Sequence, residues 1–418
     1  MYLGIDFGTS GARGVVIDSA VNILAEVRYP FETSVEADLV NCWQKALFSV
    51  LEQIKPELRR EITRIAINGT SSTVLLCDGA GNAVDLPLLY NDARGAAMGE
   101  KLKNIAPPNH TVFSATSSLV KLLRMMQLPS FAQGKYFLHQ ADWLGFLLHG
   151  KLGISDYHNA LKLGYDVEAL EYPQWLEKLQ IPIHLPEVTI PGNPIGELCL
   201  DIAEKYNFPK SCVVCAGTTD SIAAFMASGA NSPGEAVTSV GSTLVLKLLS
   251  HTRVDNSQYG IYSHRFGDLW LTGGASNTGG AVLKQFFTDE ELEKFSQEID
   301  LTKSSELDYY PLLKPGERFP INDPNLPPQL EPRPDDSVKF LHGLLESIAR
   351  IEGQGYKLLQ EFGADNLTRV YTAGGGAKNA IWSEIRKKYL GVPVVSSRNT
   401  EAAYGSALLA MGGLIFDL

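Results

Sequence analysis

Short apolar runs broken by polar, glycine-rich turns open the chain. Residues 2–9, 14–18 and 22–30 alternate like three antiparallel strands. From Asp38 to Leu58 the period lengthens, with Trp43, Leu47, Val50, Leu51 and Ile54 at helical spacing. Ile62 to Ile67 is again a strand, so the opening order is βββαβ. Further on, a strand is expected over Pro87 to Arg94 and amphipathic helices over 116–128 and 139–149. Val213 to Ala216 reads as a strand that feeds a small-residue helix, Ile222 to Ser228. The second half starts a new strand pair over 237–248. Helices follow at 281–287, 336–362, 380–390 and 401–412, and a strand at Arg369 to Ala373. Strands and helices therefore mix throughout, which predicts an α/β protein. Gly229 to Gly234, reading Gly-Ala-Asn-Ser-Pro-Gly, is the best boundary by composition, giving domains 1–228 and 229–418. The eight prolines between 311 and 334 mark an ordered surface excursion.

One hairpin occurs twice. Ile5-Asp6-Phe7-Gly8-Thr9-Ser10-Gly11-Ala12-Arg13-Gly14 is a strand, a glycine-and-hydroxyl turn and a second strand. Shifted by 233 positions, Gly8, Thr9 and Ser10 fall on Gly241, Ser242 and Thr243, while Asp6 falls on Ser239. Glycines here let backbone N–H groups approach a ligand, and the hydroxyls add donors beside them, as a polyphosphate requires. Asp6, at the end of an apolar strand, reads either as a surface turn residue or as an anchor for Mg2+, which prefers carboxylate oxygens.

Other polar clusters sit at strand ends, where open α/β sheets place ligand groups. Thr70-Ser71-Ser72 suits either a turn cap or a polyol site. Asp220, in Gly217-Thr-Thr-Asp-Ser221, is placed to cap a helix or to act as a general base. Leu271 to Gly280 and Tyr371 to Asn379 are glycine-rich turns that each precede a helix, and helix N-termini favour anions. Neither turn matches the P-loop or the full dinucleotide fingerprint.

Composition narrows the class. Lys and Arg number 36 against 47 Asp and Glu, a net charge of −11, which argues against a nucleic-acid partner. No apolar run reaches the ~18 residues that span a bilayer. No targeting segment is expected ahead of the first strand, and five scattered cysteines suit a reducing compartment, so the expectation is a cytoplasmic protein. Cys212 and Cys215 have redox spacing but lie in an apolar strand, where they point to opposite faces. The eight histidines show no metal-ligand spacing.

Taken in order, these segments resemble the FGGY family of carbohydrate kinases, within the actin/sugar-kinase/chaperone ATPase superfamily. The likeness runs over nearly the whole chain. It covers Ile5 to Arg13, Tyr90-Asn-Asp-Ala-Arg94, Gln140-Ala-Asp-Trp-Leu, Leu148-His-Gly150 with Asp156 to Ala160, Ala216-Gly-Thr-Thr-Asp-Ser221, Gly374 to Asn379, and Glu401-Ala-Ala-Tyr-Gly405. The resemblance implies two ribonuclease-H-like domains hinged about a central cleft, with ATP as phosphoryl donor, Mg2+ and a small sugar as acceptor. It makes Asp220 the general base. Asp6 becomes the Mg2+-side carboxylate, with Asp220 also near the metal. Gly8, Thr9, Ser10 and Arg13, with Gly241, Ser242 and Thr243, would bind phosphates. Gly279, Gly280, Gly374, Gly375, Gly376, Ala377 and Asn379 would line the nucleotide site. Asp6, Ser71, Ser72 and Asp220 would meet the sugar. The family's xylulose members carry Gln-Met-His where this chain has Thr70-Ser71-Ser72, and its glycerol members differ there too. The whole pattern, with Asn159-Ala-Leu-Lys-Leu-Gly-Tyr165, is most similar to the short pentulose-kinase branch of cyanobacteria and plastids. That branch suggests D-ribulose, with D-xylulose as the alternative, and a monomer or dimer. A partner-driven ATPase of the actin or chaperone kind is the competing class.

Overall fold

The computed structural model describes residues 1–31 and 38–414. It forms two compact units, Met1–Ala227 together with the chain from Glu401 onward, and Ser228–Thr400.

The first unit is built on a sheet of β1 (Tyr2–Phe7), β2 (Gly11–Ile17), β3 (Ile23–Pro30), β4 (Arg64–Gly69), β9 (Pro194–Glu197), β10 (Val213–Cys215) and β11 (Thr218–Thr219). The order is β3-β2-β1-β4-β10-β9, with β11 also on β4. β1 to β3 are antiparallel, and β4 joins β1 in parallel, as βββαβ predicts. Two small pairs, β5 (Val74–Cys77) with β6 (Tyr136–His139) and β7 (Ile154–Asp156) with β8 (Glu187–Thr189), extend this unit. Helix Leu39–Gln53 buries Trp43, Ala46, Leu47, Val50 and Leu51 in the same core as Leu3, Ile5, Val16 and Ile65.

The second unit repeats the plan. Its sheet contains β12 (Glu235–Val240), β13 (Leu244–Ser250), β14 (Tyr262–Phe266), β15 (Leu269–Ser276), β16 (Arg369–Ala373) and β17 (Val394–Ser396), in the order β14-β15-β13-β12-β16-β17. β12 pairs antiparallel with β13 and parallel with β16, as β1 does with β2 and β4. Helix Ser337–Glu361 supplies much of the core through Phe340, Leu341, Leu344, Leu345 and Ile348. A buried ion pair, Arg386 to Glu352 at 2.6 and 2.7 Å, ties this helix to helix Ala380–Leu390. Glu352 also takes the Thr238 hydroxyl of β12, and Arg386 reaches Thr372 of β16.

Several boundaries differ from expectation for definable reasons. The helix expected to run to Leu58 stops at Gln53, because Pro56 forces Lys55 into extended backbone before a short new turn. Pro87 to Arg94 is not a strand. Only Leu88 pairs, with Val74, and the Asp92 carboxylate then turns the chain by taking the Arg94 N–H and guanidinium. The glycine-rich stretch 271–280 is mostly strand, since β15 runs through Gly273 and Gly274 to Ser276. A side chain on Gly274 would meet the buried Phe319 ring at 2.6 Å, so glycine serves packing there. The closing helix, Ala402–Gly412, was expected in the second domain, but it belongs to the first unit and packs on β1. A side chain on Gly4 of β1 would lie 2.1 Å from Ala403 O, so only glycine admits the helix this closely. Cys212 and Cys215 are both buried, and desolvation lifts their thiols to about 12 and 11, which fits packing rather than redox chemistry.

Candidate active site

Asp6 is the next-to-last residue of β1. Its cross-strand partners are Arg13 on β2 and Asn68 on β4, and Asn68 is in turn level with Thr218 on β11. Asp220 follows two residues later, as the first residue of helix Asp220–Ser228. The sheet therefore brings the ends of β1, β4 and β11 into one row and sets both predicted carboxylates beside it. Thr218 is held from behind, 2.7 Å from His158 Nδ1. The backbone of His158 is fixed by Asp156, which caps helix Tyr157–Ala160.

Asp6 is 6% exposed, and its Oδ1 has no hydrogen-bond partner in the protein. Burial pushes its carboxyl up to about 7, and the negative charge of Asp220 adds to that rise. Arg13 pulls the other way, but its Nη1 is also bound to Glu401 at 2.8 Å, and Glu401 itself raises Asp6. The charges of Asp6 and Asp220 are thus close enough to influence each other. Asp220 is half-buried and its Oδ1 accepts the Ser221 N–H at 2.6 Å. That bond fixes the acid at the helix start.

The closing helix supports both acids. It lies on Gly4 of β1, two residues before Asp6, and its Gly405 meets the backbone of Ala223 on the Asp220 helix. A side chain at Gly405 would stand 1.8 Å from Ala223 O. Asn68 donates to Ser406 Oγ of the same helix at 2.8 Å.

The hydroxyl cluster after β4 divides its labour. The Tyr90 N–H donates to Thr73 Oγ1 at 3.0 Å, Thr73 and Thr70 share a bond, and Thr70 Oγ1 reaches Gln140 Oε1 at 3.1 Å. An amide oxygen only accepts, so the proton of Thr70 points to Gln140 and its hydroxyl is spent on the turn. Ser71 is different. Lys162 Nζ donates to its Oγ at 3.2 Å, which leaves the Ser71 O–H free to donate outward. Ser72 takes left-handed backbone (φ 62°), and its buried hydroxyl has no protein partner.

In the first hairpin Gly8 N–H closes the turn on Gly11 O at 3.1 Å, leaving Thr9 and Ser10 exposed. In the second unit, Gly241 N–H closes on Thr243 O at 3.2 Å. The Gly280 N–H donates to Gly241 O at 2.8 Å and the Ala281 N–H to Ser242 O at 3.2 Å. Gly374, at φ 82°, passes so close to β12 that a side chain would sit 2.8 Å from Val240 O. Gly241 to Thr243 and Gly279 with Gly280 are therefore tied together by backbone bonds, and Gly374 packs against the end of the same strand. Ala377 closes the last turn through its N–H to Gly374 O. Asn379 is already occupied, capping helix Ala380–Leu390 with Oδ1 and donating to Ser296 from Nδ2.

The residues fit Mg2+. Asp6 offers a buried oxygen with no protein partner, and a cation beside it would relieve the charge it shares with Asp220. Among the described residues no cluster of three or more His, Cys, Asp or Glu gathers, but Mg2+ needs only one or two carboxylates and keeps its waters.

Sequence reasoning missed Lys121, Lys162, Gln140 and Asn68. A signal existed for Lys121. It lies at helical spacing from Ser118 and Met125, which are both buried.

The chain matches the N-terminal domain of the FGGY family of carbohydrate kinases over residues 1–227 and the C-terminal domain over 236–414. The protein belongs to the FGGY family. A xylulose kinase of Staphylococcus xylosus is 22% identical over 438 residues, covering 98% of this chain and 90% of that protein. Among solved structures, a xylulose kinase from Rhodospirillum rubrum superposes with a TM-score of 0.86 at 20% identity, covering 100% of this chain and 90% of that one. The glycerol kinase of Plasmodium falciparum, solved with ADP, gives 0.84 at 17% identity over 98% of this chain and 88% of its own. The fold is thus the two-sheet α/β fold of sugar kinases. This FGGY kinase is a sugar kinase acting on a small sugar, with ATP as donor, as in its family. No helix among the described residues is long and apolar enough to cross a membrane.

Proposed function

We propose that this FGGY kinase transfers the γ-phosphoryl group of Mg·ATP to the terminal hydroxyl of a ketopentose, with D-ribulose as the preferred acceptor and Asp220 as the general base. The carrying observation is the pair Asp6 and Asp220, one carboxylate buried with an unpartnered oxygen and the other half-exposed at a helix start. Asp220 accepts the proton of the sugar hydroxyl as its oxygen bonds to phosphorus, while the bond to the β-phosphate oxygen breaks and ADP leaves. Asp6, with Asp220 beside it, would hold Mg2+, which supplies charge neutralisation to the phosphates. Ser71 presents its hydroxyl to the sugar, with the buried Ser72 hydroxyl behind it. Gly8, Thr9, Ser10 and Arg13 serve the phosphates from the first unit. The backbone of Gly241 to Thr243, Gly279, Gly280 and Gly374 to Ala377 serves the nucleotide in the second, with Asn379 holding the helix behind it. Positioning is the main contribution, on the order of 7–11 kcal/mol where reacting groups are well aligned.

D-ribulose rests on the likeness to the short pentulose-kinase branch and on Thr70-Ser71-Ser72, which departs from the Gln-Met-His of xylulose members. D-xylulose is the second reading, favoured by the name of the S. xylosus relative. ADP release with Mg·ATP against D-ribulose, D-xylulose, L-ribulose, glycerol and no sugar decides. Stimulation by D-ribulose above the others is expected. Preference for D-xylulose would transfer the assignment to it. An equal slow rate with every compound and with none would favour a partner-driven ATPase.

A further inference from the structure

Lys121 lies on helix Ser118–Met125, whose Leu119, Val120, Leu122 and Met125 belong to a hydrophobic core cluster with Val74, Leu76 and Phe137. It is 1% exposed. Burying an ammonium is costly unless it is well bonded, and a methionine would fill the space without that cost. What the ammonium adds is direction. Its Nζ donates to Ser72 O at 2.7 Å and to Leu89 O at 2.6 Å. Ser72 is the left-handed residue of the hydroxyl cluster, and Leu89 precedes Tyr90, whose N–H holds Thr73. One side chain thus ties the turn 70–73 to the segment 88–90. The charged groups that bear on it are Asp92, which favours its charge, and Lys162, which opposes it while bonding Ser71. Desolvation outweighs both effects and brings the amine down to about 7.

We propose that Lys121 is a positioning residue for the sugar acceptor: its two bonds to Ser72 O and Leu89 O hold the turn in the conformation that presents the Ser71 hydroxyl to the substrate. The inference rests on the sugar-kinase reading of this loop. Lys121 itself touches no reacting atom, so its loss shows in acceptor binding before turnover.

The test compares Lys121→Met, Lys121→Arg and, as a destabilised control on the same helix, Leu119→Ala. Lys121→Met is expected to raise the KM for the pentulose at least tenfold while the KM for ATP stays within twofold. Lys121→Arg, which keeps a cationic donor, recovers part of that loss. Leu119→Ala lowers Tm but leaves the pentulose KM near wild type. A wild-type pentulose KM in Lys121→Met, or an equal rise in Leu119→Ala, overturns the proposal. If Lys121→Met does not fold, amide hydrogen exchange of the wild-type protein decides. Thr73 and Tyr90 should exchange slowly before any sugar is added, and fast exchange that only sugar slows would overturn the proposal. A wild-type protein that no sugar stimulates refutes the kinase reading instead, whereas normal stimulation with an unchanged Lys121→Met refutes this inference alone.

Discussion

The two glycine-hydroxyl hairpins share a topology and differ in chemistry. In each, the leading strand pairs antiparallel with its hairpin partner and parallel with a later strand. In the first, Asp6 lies between Arg13 and Asn68, two polar neighbours on a row that continues to Thr218 and leads to Asp220. In the second, Ser239 occupies the matching place between Val245 and Ala373, with no charge in the row. The first hairpin backs onto a helix that also carries the weight of the Asp220 helix, through Gly4 and Gly405. The second is fixed by the buried Arg386–Glu352 pair through Thr238 and Thr372. The same scaffold occurs twice, with a carboxylate in the row of one copy and only uncharged residues in the row of the other. Under the proposed function, proton transfer and the metal belong to the first unit and the nucleotide to the second.

The largest expected effect is at Asp220. Asp220→Ala should lower kcat for the sugar by ~10²–10⁴-fold while ATP affinity, measured by titration calorimetry, stays near wild type. Loss of ATP binding instead would blur the division between the units.

Asp6→Asn sharpens the contrast through opposite signs. Turnover should fall by about one to two orders of magnitude, an effect the size of losing a well-placed charged group, with a weaker response to added Mg2+. Stability should move the other way. In the folded protein the Asp6 carboxyl is pushed up to about 7, well above the usual carboxylate range. Its stabilising contribution is complete below the unfolded value and is lost as pH rises through about 7, because the folded state then holds a buried charge. In metal-free buffer, Asp6→Asn should gain Tm over wild type at pH 8 and lose that advantage near pH 4. Thermal melts across pH 4–8 in chelator check this, and a uniform loss of Tm would contradict it.

A smaller effect is expected at Gly374, where the left-handed backbone and Val240 O at 2.8 Å leave no room for a side chain. Gly374→Ala should raise the KM for ATP severalfold, an effect worth about 1–3 kcal/mol of strain shared between fold and site, with the sugar KM within twofold. A sugar-specific defect would break the assignment of the two sides.

The smallest effect is at Ser239, the counterpart of Asp6. Ser239→Ala should change kcat and Mg2+ dependence by less than about threefold, the scale of one ordinary hydrogen bond. If it matched Asp6→Asn, the two hairpins would be equivalent in chemistry as well as shape.

Much of this was readable from the chain. The strand–glycine–hydroxyl repeat anticipated the matching sheets because hairpin turns and apolar strands are local features. Asp6 and Asp220 were each visible at a strand end. Their mutual influence was not, because it depends on β4 and β11 aligning Asn68 with Thr218 across 150 residues of sequence. The return of the closing helix to the first unit was hidden for the same reason: Gly4 and Gly405 gain their meaning only from each other and from Ala223. Thr70, Ser71 and Ser72 looked alike in sequence and differ in the fold, since Gln140 claims one and Lys162 another. Gly273 and Gly274 resembled a turn because glycine marks both turns and crowded strands, and only the Leu246 backbone beside the one and the Phe319 ring beside the other tell the two apart.

The most direct measurement is the ³¹P NMR spectrum of the product formed from Mg·ATP and D-ribulose by the wild-type protein and by Asp220→Ala. A phosphomonoester signal split by two methylene protons, as a phosphorylated terminal hydroxyl gives, is expected from the wild type and none from the variant. Inorganic phosphate alone from both proteins, or the same sugar phosphate formed undiminished by Asp220→Ala, would contradict it.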